Sequence, residues 1–279
     1  MKNEIYPCLW FNGQAKAAAE LYCSVFKDSK ITVDTSMVVT FNLAGQKFMG
    51  LNGGPRHVPN SSISFFVVFE TLDEIEHAWE ALLEGGQVLM PLNKYEWSAQ
   101  YGWLQDKYNI NWQLALGKLE EVGQKITPTL MFTNQQAGQA EQAIYFYTSI
   151  FANSSVVGIL NYDETDNEVA GTVKHAQFKL GQQVFMAMDS SMPDSFSFNE
   201  GISLVVNCEN QEEIDYYWGK LIEGGREDKC GWLKDKYGLS WQIVPVILGK
   251  LMSDPEKGPR VMQAFLQMTK FDLDKLTNA

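Results

Sequence analysis

One run of residues appears twice in this chain, and it limits the possible folds more than any other feature. Residues 231–243 (GWLKDKYGLSWQI) repeat residues 102–114 (GWLQDKYNINWQL), with eight of thirteen positions identical. A match of this quality, 129 positions apart, marks an internal duplication. Each copy reads as a β-hairpin: an extended piece, a turn over Asp-Lys-Tyr, and a second strand opening on Trp112 or Trp241. The turn requires a residue at positive φ. One copy supplies Gly238 and the other Asn109, the next-best residue for the left-handed region.

The elements around the repeat also recur. Residues 6–11 form a short apolar strand, and Asn12-Gly13 ends it. In residues 15–26, Ala15, Ala18, Ala19, Tyr22 and Phe26 share one helical face. Residues 31–34, 37–43 and 47–51 read as strands, with a hairpin turn over Ala44-Gly45-Gln46. Gly and Pro make residues 52–62 a loop. Residues 63–69 start a second unit. Thr71 with Glu74 forms a capping box for a helix that Gly85-Gly86 closes, and residues 91–100 read as a loop leading into the hairpin. The second half repeats this order: 126–132 answers 5–11, 140–151 answers the first helix, 175–180 and 184–188 answer the strands around Gly45, and 202–225 answers 63–86. Trp79 and Trp218 fall at equal places on their helices. The expected division is a first domain at 1–119, a polar linker at 120–125, a second domain at 126–248 and a helical tail at 249–279. Residues 259–270 of the tail are amphipathic, with Asp272 as a cap for a last short helix. Such an appended helix should cover a strand edge or bridge the halves.

Composition narrows the function. The formal net charge of −12, without a Lys/Arg cluster, argues against nucleic acid as a partner. No apolar run approaches the 18 or so residues of a membrane-spanning helix, and the first five residues lack a leader's apolar stretch. Membranes are therefore not expected as partners. Cys8, Cys23, Cys208 and Cys230 stand at unrelated spacings, as free thiols of a cytoplasmic protein do.

Two domains of paired βαβββ units resemble the vicinal oxygen chelate (VOC; glyoxalase/bleomycin-resistance) superfamily. The similarity is greatest to its PhnB-like branch, often labelled a 3-demethylubiquinone-9 3-methyltransferase domain. The residues that carry it are the hairpin at 231–238 with residues 241–245, and the tail at 261–268 with Lys270, Asp272 and Leu276. The resemblance implies an α+β fold of two tandem domains, each with a curved mixed sheet forming a cup, plus the helical tail. It also implies a metal held by His, Glu or Gln at four strand positions, where it would chelate two substrate oxygens.

Those four positions are weakly furnished here. The last falls on Gln113 and Gln242, the third near Ser64 and Ser203, the first near Pro7 or Cys8 and near Pro128 or Thr129, and the paired-strand position on Val38 and His175. The second half thus offers His175, Gln242, Ser203 and Thr129, with Asp189 as a possible rim carboxylate, and these five are the candidate ligand-binding residues. One imidazole and one amide make a poor set for a divalent ion, so no metal or other cofactor is expected. Trp112 and Trp241 should face away from the cup into the core. His57 reads as a solvent-exposed ring, His77 as part of a solvated helix face, and Phe185, Met186 and Met188 as core. Asp235-Lys236 is explained by the hairpin turn. No Gly-rich loop leads from a strand into a helix N-terminus, so methyl transfer with a nucleotide-shaped cofactor has no support.

The expected function is binding of a small molecule in the second-half cup, with the first half as a structural partner and a homodimer possible. A metal-dependent isomerase, lyase or dioxygenase is the alternative. A non-catalytic scaffold is a further one.

Overall fold

The computed structural model describes residues 4–192 and 196–279. Residues 1–3, part of the N-terminal stretch considered above, lie outside it. Four similar units follow one another. The first is β1 (Ile5–Phe11), α1 (Ala15–Val25), β2 (Lys30–Asp34), β3 (Val38–Leu43) and β4 (Gln46–Asn52). The second is β5 (Ile63–Phe69), α2 (Leu72–Leu83), β6 (Gln87–Tyr95), β7 (Ser98–Gln105) and β8 (Asn111–Leu116). A one-turn helix, α3 (Leu119–Val122), occupies the expected linker. The third unit is β9 (Ile126–Phe132), α4 (Ala140–Ile150), β10 (Ser155–Asn161), β11 (Val173–Leu180) and β12 (Gln183–Asp189). The fourth is β13 (Ile202–Cys208), α5 (Gln211–Leu221), β14 (Arg226–Glu227), β15 (Trp232–Lys234) and β16 (Ser240–Pro245). The tail carries α6 (Leu248–Met252), α7 (Gly258–Gln267) and α8 (Leu273–Thr277).

The units combine in a way the sequence order does not suggest. The first sheet has the order β14-β15-β16-β13-β1-β4-β3-β2, and the second β10-β11-β12-β9-β5-β8-β7-β6. Unit one therefore joins unit four, through antiparallel pairing of β1 with β13, and unit two joins unit three through β5 and β9. The expectation that each half curls its own sheet is corrected here: every cup is shared between halves. The reason is geometric. A four-stranded unit leaves its first strand as an unpaired edge, and the first strand of a unit from the other half covers it.

Helices fill the space between the sheets. α1 lies on β3 and β4 of the first sheet. Its Tyr22 ring and the adjoining Phe26 also sit 5.1 and 5.4 Å from Trp112 of the second sheet. In the other half, Tyr147 of α4 and the adjoining Phe151 lie 5.4 and 5.6 Å from Trp241. Both hairpin tryptophans are fully buried, in the interior as expected. Thr71 accepts a hydrogen bond from the Glu74 amide at the start of α2, so half of the expected capping box forms. The Glu74 carboxylate turns to Lys27 instead.

The repeated hairpin owes its residues to a buried carboxylate. Asp235 Oδ1 accepts from the amides of Tyr237 and Leu239, and Oδ2 accepts from Tyr147 and the Trp241 indole at 2.7 and 2.8 Å. Asp106 does the same with Tyr108, Ile110, Tyr22 and Trp112. Each aspartate thus shapes its turn, fixes the tryptophan and ties the hairpin to a helix. The turn positions Asn109 and Gly238 have φ of 66° and 85°, the positive values expected.

Residues 91–100 depart from expectation. They form the end of β6, a tight turn and the start of β7, not a loop. Pro91 is tolerated because β6 is an edge strand, where a missing N–H removes no ladder bond. The strands β10 and β14, absent from the sequence reading, are edges too. The tail covers the start of a strand: the carbonyls of Met268 and Thr269 accept from the amides of Cys230 and Gly231, just before β15.

Candidate ligand site

Strand register sorts the side chains of the second sheet into two faces. Phe65, Trp112, Leu130 and Ala187 face the helices. Their neighbours Ser64, Gln113, Thr129 and Met186 face the other way, into the cup. His175 and Gln177 join that face from β11, and Tyr101 and Trp103 from β7. A chain of hydrogen bonds crosses the floor. Tyr101 donates to Gln113 Oε1 at 2.8 Å, and Gln113 Nε2 donates to Ser64 Oγ at 2.7 Å. Asp166 raises the pKa of Lys174 on β11 through a hydrogen bond, and Glu96 at the tip of the β6–β7 hairpin is close enough to add to that rise. The tip carries Trp97, 68% exposed and stacked on Tyr95 at 5.0 Å, with Tyr101 6.2 Å away. His175 is exposed on this surface, yet protein crowding around the ring lowers its pKa by desolvation, so it is neutral at neutral pH.

The first sheet repeats the floor with different chemistry. Gln242 Nε2 donates to Ser203 Oγ at 2.9 Å, and Cys8 lies beside both. Burial pushes the Cys8 thiol up to about 12, despite hydrogen bonding to Gln242 and Ser203 that favours the thiolate, so it is a poor nucleophile. Tyr6, Cys8 and Val205 form a small apolar cluster of their own with Met49, Leu51 and Val244. Trp10 closes this cup. Its indole donates to the Gly54 carbonyl at 2.7 Å, with the rings of His57 and Trp232 at 4.8 and 5.9 Å. Outside it, Glu200 meets His57, Arg226 and Lys234 at 3.4, 3.0 and 3.1 Å. Burial alone would raise the pKa of Glu200, but its hydrogen bond and charge contact with Lys234 outweigh that and hold it low. His57 is therefore half-buried against Trp10, not the solvent-exposed ring expected, and desolvation lowers its pKa.

The five candidate residues do not converge. His175 and Thr129 lie in the second cup, with Ser64 and Gln113 of the first half. Gln242 and Ser203 lie in the first cup. Asp189 serves neither: it is buried on the helix side and accepts from the amides of Gly138, Ala140 and Val173, holding the start of α4. A second-half cup does not exist as a unit, because the sheets exchange partners between halves. Phe185 and Met186 are buried, as read, while Met188 is half-buried; by register the two methionines lie on the cup face of β12. His77 is exposed on α2, as read. The sequence reading missed Tyr101 and Trp97. The alternation around Tyr101 was available as a signal, but Pro91 masked the strand.

The residues also fail to fit a metal of the superfamily's kind. Among the described residues, no three His, Cys, Asp or Glu side chains are grouped to hold an ion. Hydroxyl and amide groups stand at the expected positions, and they hydrogen-bond to one another.

The sequence model described as 3-demethylubiquinone-9 3-methyltransferase matches residues 3–115 and again 124–244. The chain belongs to this PhnB-like family of the VOC superfamily. A PhnB-like protein of Bacillus cereus, described as a putative 3-demethylubiquinone-9 3-methyltransferase, is 35% identical and covers 39% of this chain and 96% of its own, with a TM-score of 0.38. A protein from Staphylococcus aureus is 30% identical over 42% of this chain and 99% of its own, with a TM-score of 0.20. The tandem arrangement is similar to glyoxalase I from Zea mays, at 9% identity, a TM-score of 0.54, and coverage of 86% and 92%. This last likeness is one of fold. No curated protein matches the chain.

Proposed function

We propose that this PhnB-like protein binds a small molecule in the cup of the second sheet, without a divalent metal. One contrast carries the reading. The two cups share a floor of serine and glutamine, but at the position where Trp10 plugs the first, the second has Met131. The second cup also has a rim, formed by the β6–β7 hairpin and His175, and its counterpart β14–β15 is too short to provide one. The first cup serves as the structural copy in this reading, stabilised by its apolar cluster and the Glu200 ion pairs. The family's name invokes methyl transfer, but Gly53-Gly54 runs on into a loop without entering a helix, so it does not form a helix N-terminus for a nucleotide-shaped cofactor. The reading therefore stops at binding.

A thermal-shift screen of uncharged and charged metabolites, with and without divalent metals, tests it, because a ligand of the folded state raises its stability. Hits should act without metal, persist in Trp10→Ala and vanish in Met188→Arg, which places a charge on the cup wall. Hits that survive Met188→Arg, or that depend on added metal, would contradict the reading.

A further inference from the structure

We infer that the second cup selects a neutral, flat, conjugated or aromatic molecule bearing one hydroxyl or carbonyl group. The inference rests on the proposed use of that cup and adds the class of its ligand. The available hydrogen-bonding valences come first. The Gln113 amide is engaged at both ends, by Tyr101 and by Ser64. Ser64 accepts from that amide, so its own proton is left to donate. The Tyr101 hydroxyl donates to the amide, so its lone pairs are left to accept. Gln113 Nε2 keeps its second hydrogen, so two donors stand beside one acceptor, the complement of a single hydroxyl, or of a carbonyl taken by the two donors.

The walls come next. Met131 and Met186 face the cup from β9 and β12, and Trp103 from β7. Polarisable thioethers and an indole favour the faces and edges of conjugated rings. On the lip, Trp97 keeps 68% of its surface open although it stacks on Tyr95. An indole held flat and left uncovered beside a cup is suited to stacking on an incoming ring. The third strand of the argument is charge. Ser64, Gln113, Thr129, Tyr101 and the methionines carry none, and the His175 imidazole is neutral at neutral pH. The Lys174 ammonium on the rim is already bound to Asp166. Gln177 donates to the Val122 carbonyl, so α3 packs over that part of the face, and Lys179 lies two residues farther along β11. A carboxylate entering here would lose its hydration and meet no free cation among these residues.

A matched pair of probes tests the inference: 2-naphthol, which is neutral at pH 7, and 2-naphthoate, the same rings with a carboxylate. Titrations of the full chain, followed by tryptophan emission and by calorimetry, should show saturable 2-naphthol binding and 2-naphthoate at least about tenfold weaker. Trp97→Ala, a substitution at an exposed tip, should weaken 2-naphthol about five- to tenfold, and Met188→Arg should abolish it. Equal or tighter binding of 2-naphthoate, lost in Met188→Arg, would overturn the ligand class and leave the cup as the site. So would no binding of 2-naphthol by a protein whose other hits vanish in Met188→Arg. Binding of 2-naphthol that neither substitution alters would overturn the ligand class and the choice of cup together.

Discussion

Asp235 is read from the sequence as a charged turn residue, and in the folded chain it and its counterpart Asp106 are each a buried acceptor of four hydrogen bonds. Burial raises the pKa of Asp235 to about 6, against the lowering effect of its four donors. An unfolded aspartate titrates near 3.9, so between these values the folded protein binds more protons than the unfolded one. The stabilising contribution is complete below the unfolded value and is lost as pH rises through about 6. Denaturant unfolding of the wild type and Asp235→Asn should show this directly: the wild type's advantage declines from about pH 4 to about pH 6 and is flat above. An advantage that grows over that window would mean the donors outweigh burial. Two glycines make a second residue-scale contrast. Gly231 has φ of +80°, and a Cβ there would lie 2.3 Å from the Phe271 ring. Gly231→Ala should cost at least about 2 kcal/mol. Gly219 lies within α5 with open space around it, so Gly219→Ala should stabilise by about 0.5–1 kcal/mol. Thermal melts of the two variants should move in opposite directions.

At the scale of elements, the halves diverge most at their edge hairpins. β6 and β7 have nine and eight residues, and β14 and β15 two and three. In the fourth unit the tail takes up the free space, with Phe271 over Gly231 and the backbone before β15 hydrogen-bonded to Met268 and Thr269. Because unit four folds with a short hairpin, unit two should tolerate one. Replacing residues 91–99 with a two-residue turn should keep the circular dichroism spectrum and a cooperative melt, while 2-naphthol binding is lost with the Trp97 lip. Removing α7 and α8 should instead lower the melting temperature, since Val261, Phe271 and Leu276 are all buried.

Across the whole molecule, the duplication is put to use through exchange. Each half carries one unit of each sheet, and β1 with β13 and β5 with β9 form the seams. A half alone would present β1 and β5 as bare edges on a sheet cut in two. Residues 1–123 and 124–279 expressed apart should therefore self-associate or remain unfolded, and expressed together they should form one complex of the intact chain's size. Size-exclusion chromatography with light scattering checks this, and a stable folded monomer of either piece would contradict the role given to the seams.

The sequence alone determined what local chemistry and repetition can encode: four βαβββ units, the Asn109 and Gly238 turns, the Thr71 cap, and Trp112 and Trp241 in the core. These depend on periodicity, backbone sterics and similarity between the halves, all of which are written along the chain. Tertiary structure decided which unit pairs with which, and so separated His175 from Gln242, although both belong to the second half. It moved Asp189 from the rim to a helix start and placed Ser64, Tyr101 and Gln113 beside Thr129. The reason is that pairing between strands of near-equal sequence is chosen by which exposed edge is covered and which core is closed, and these are properties of the assembled sheet that no single stretch of sequence carries.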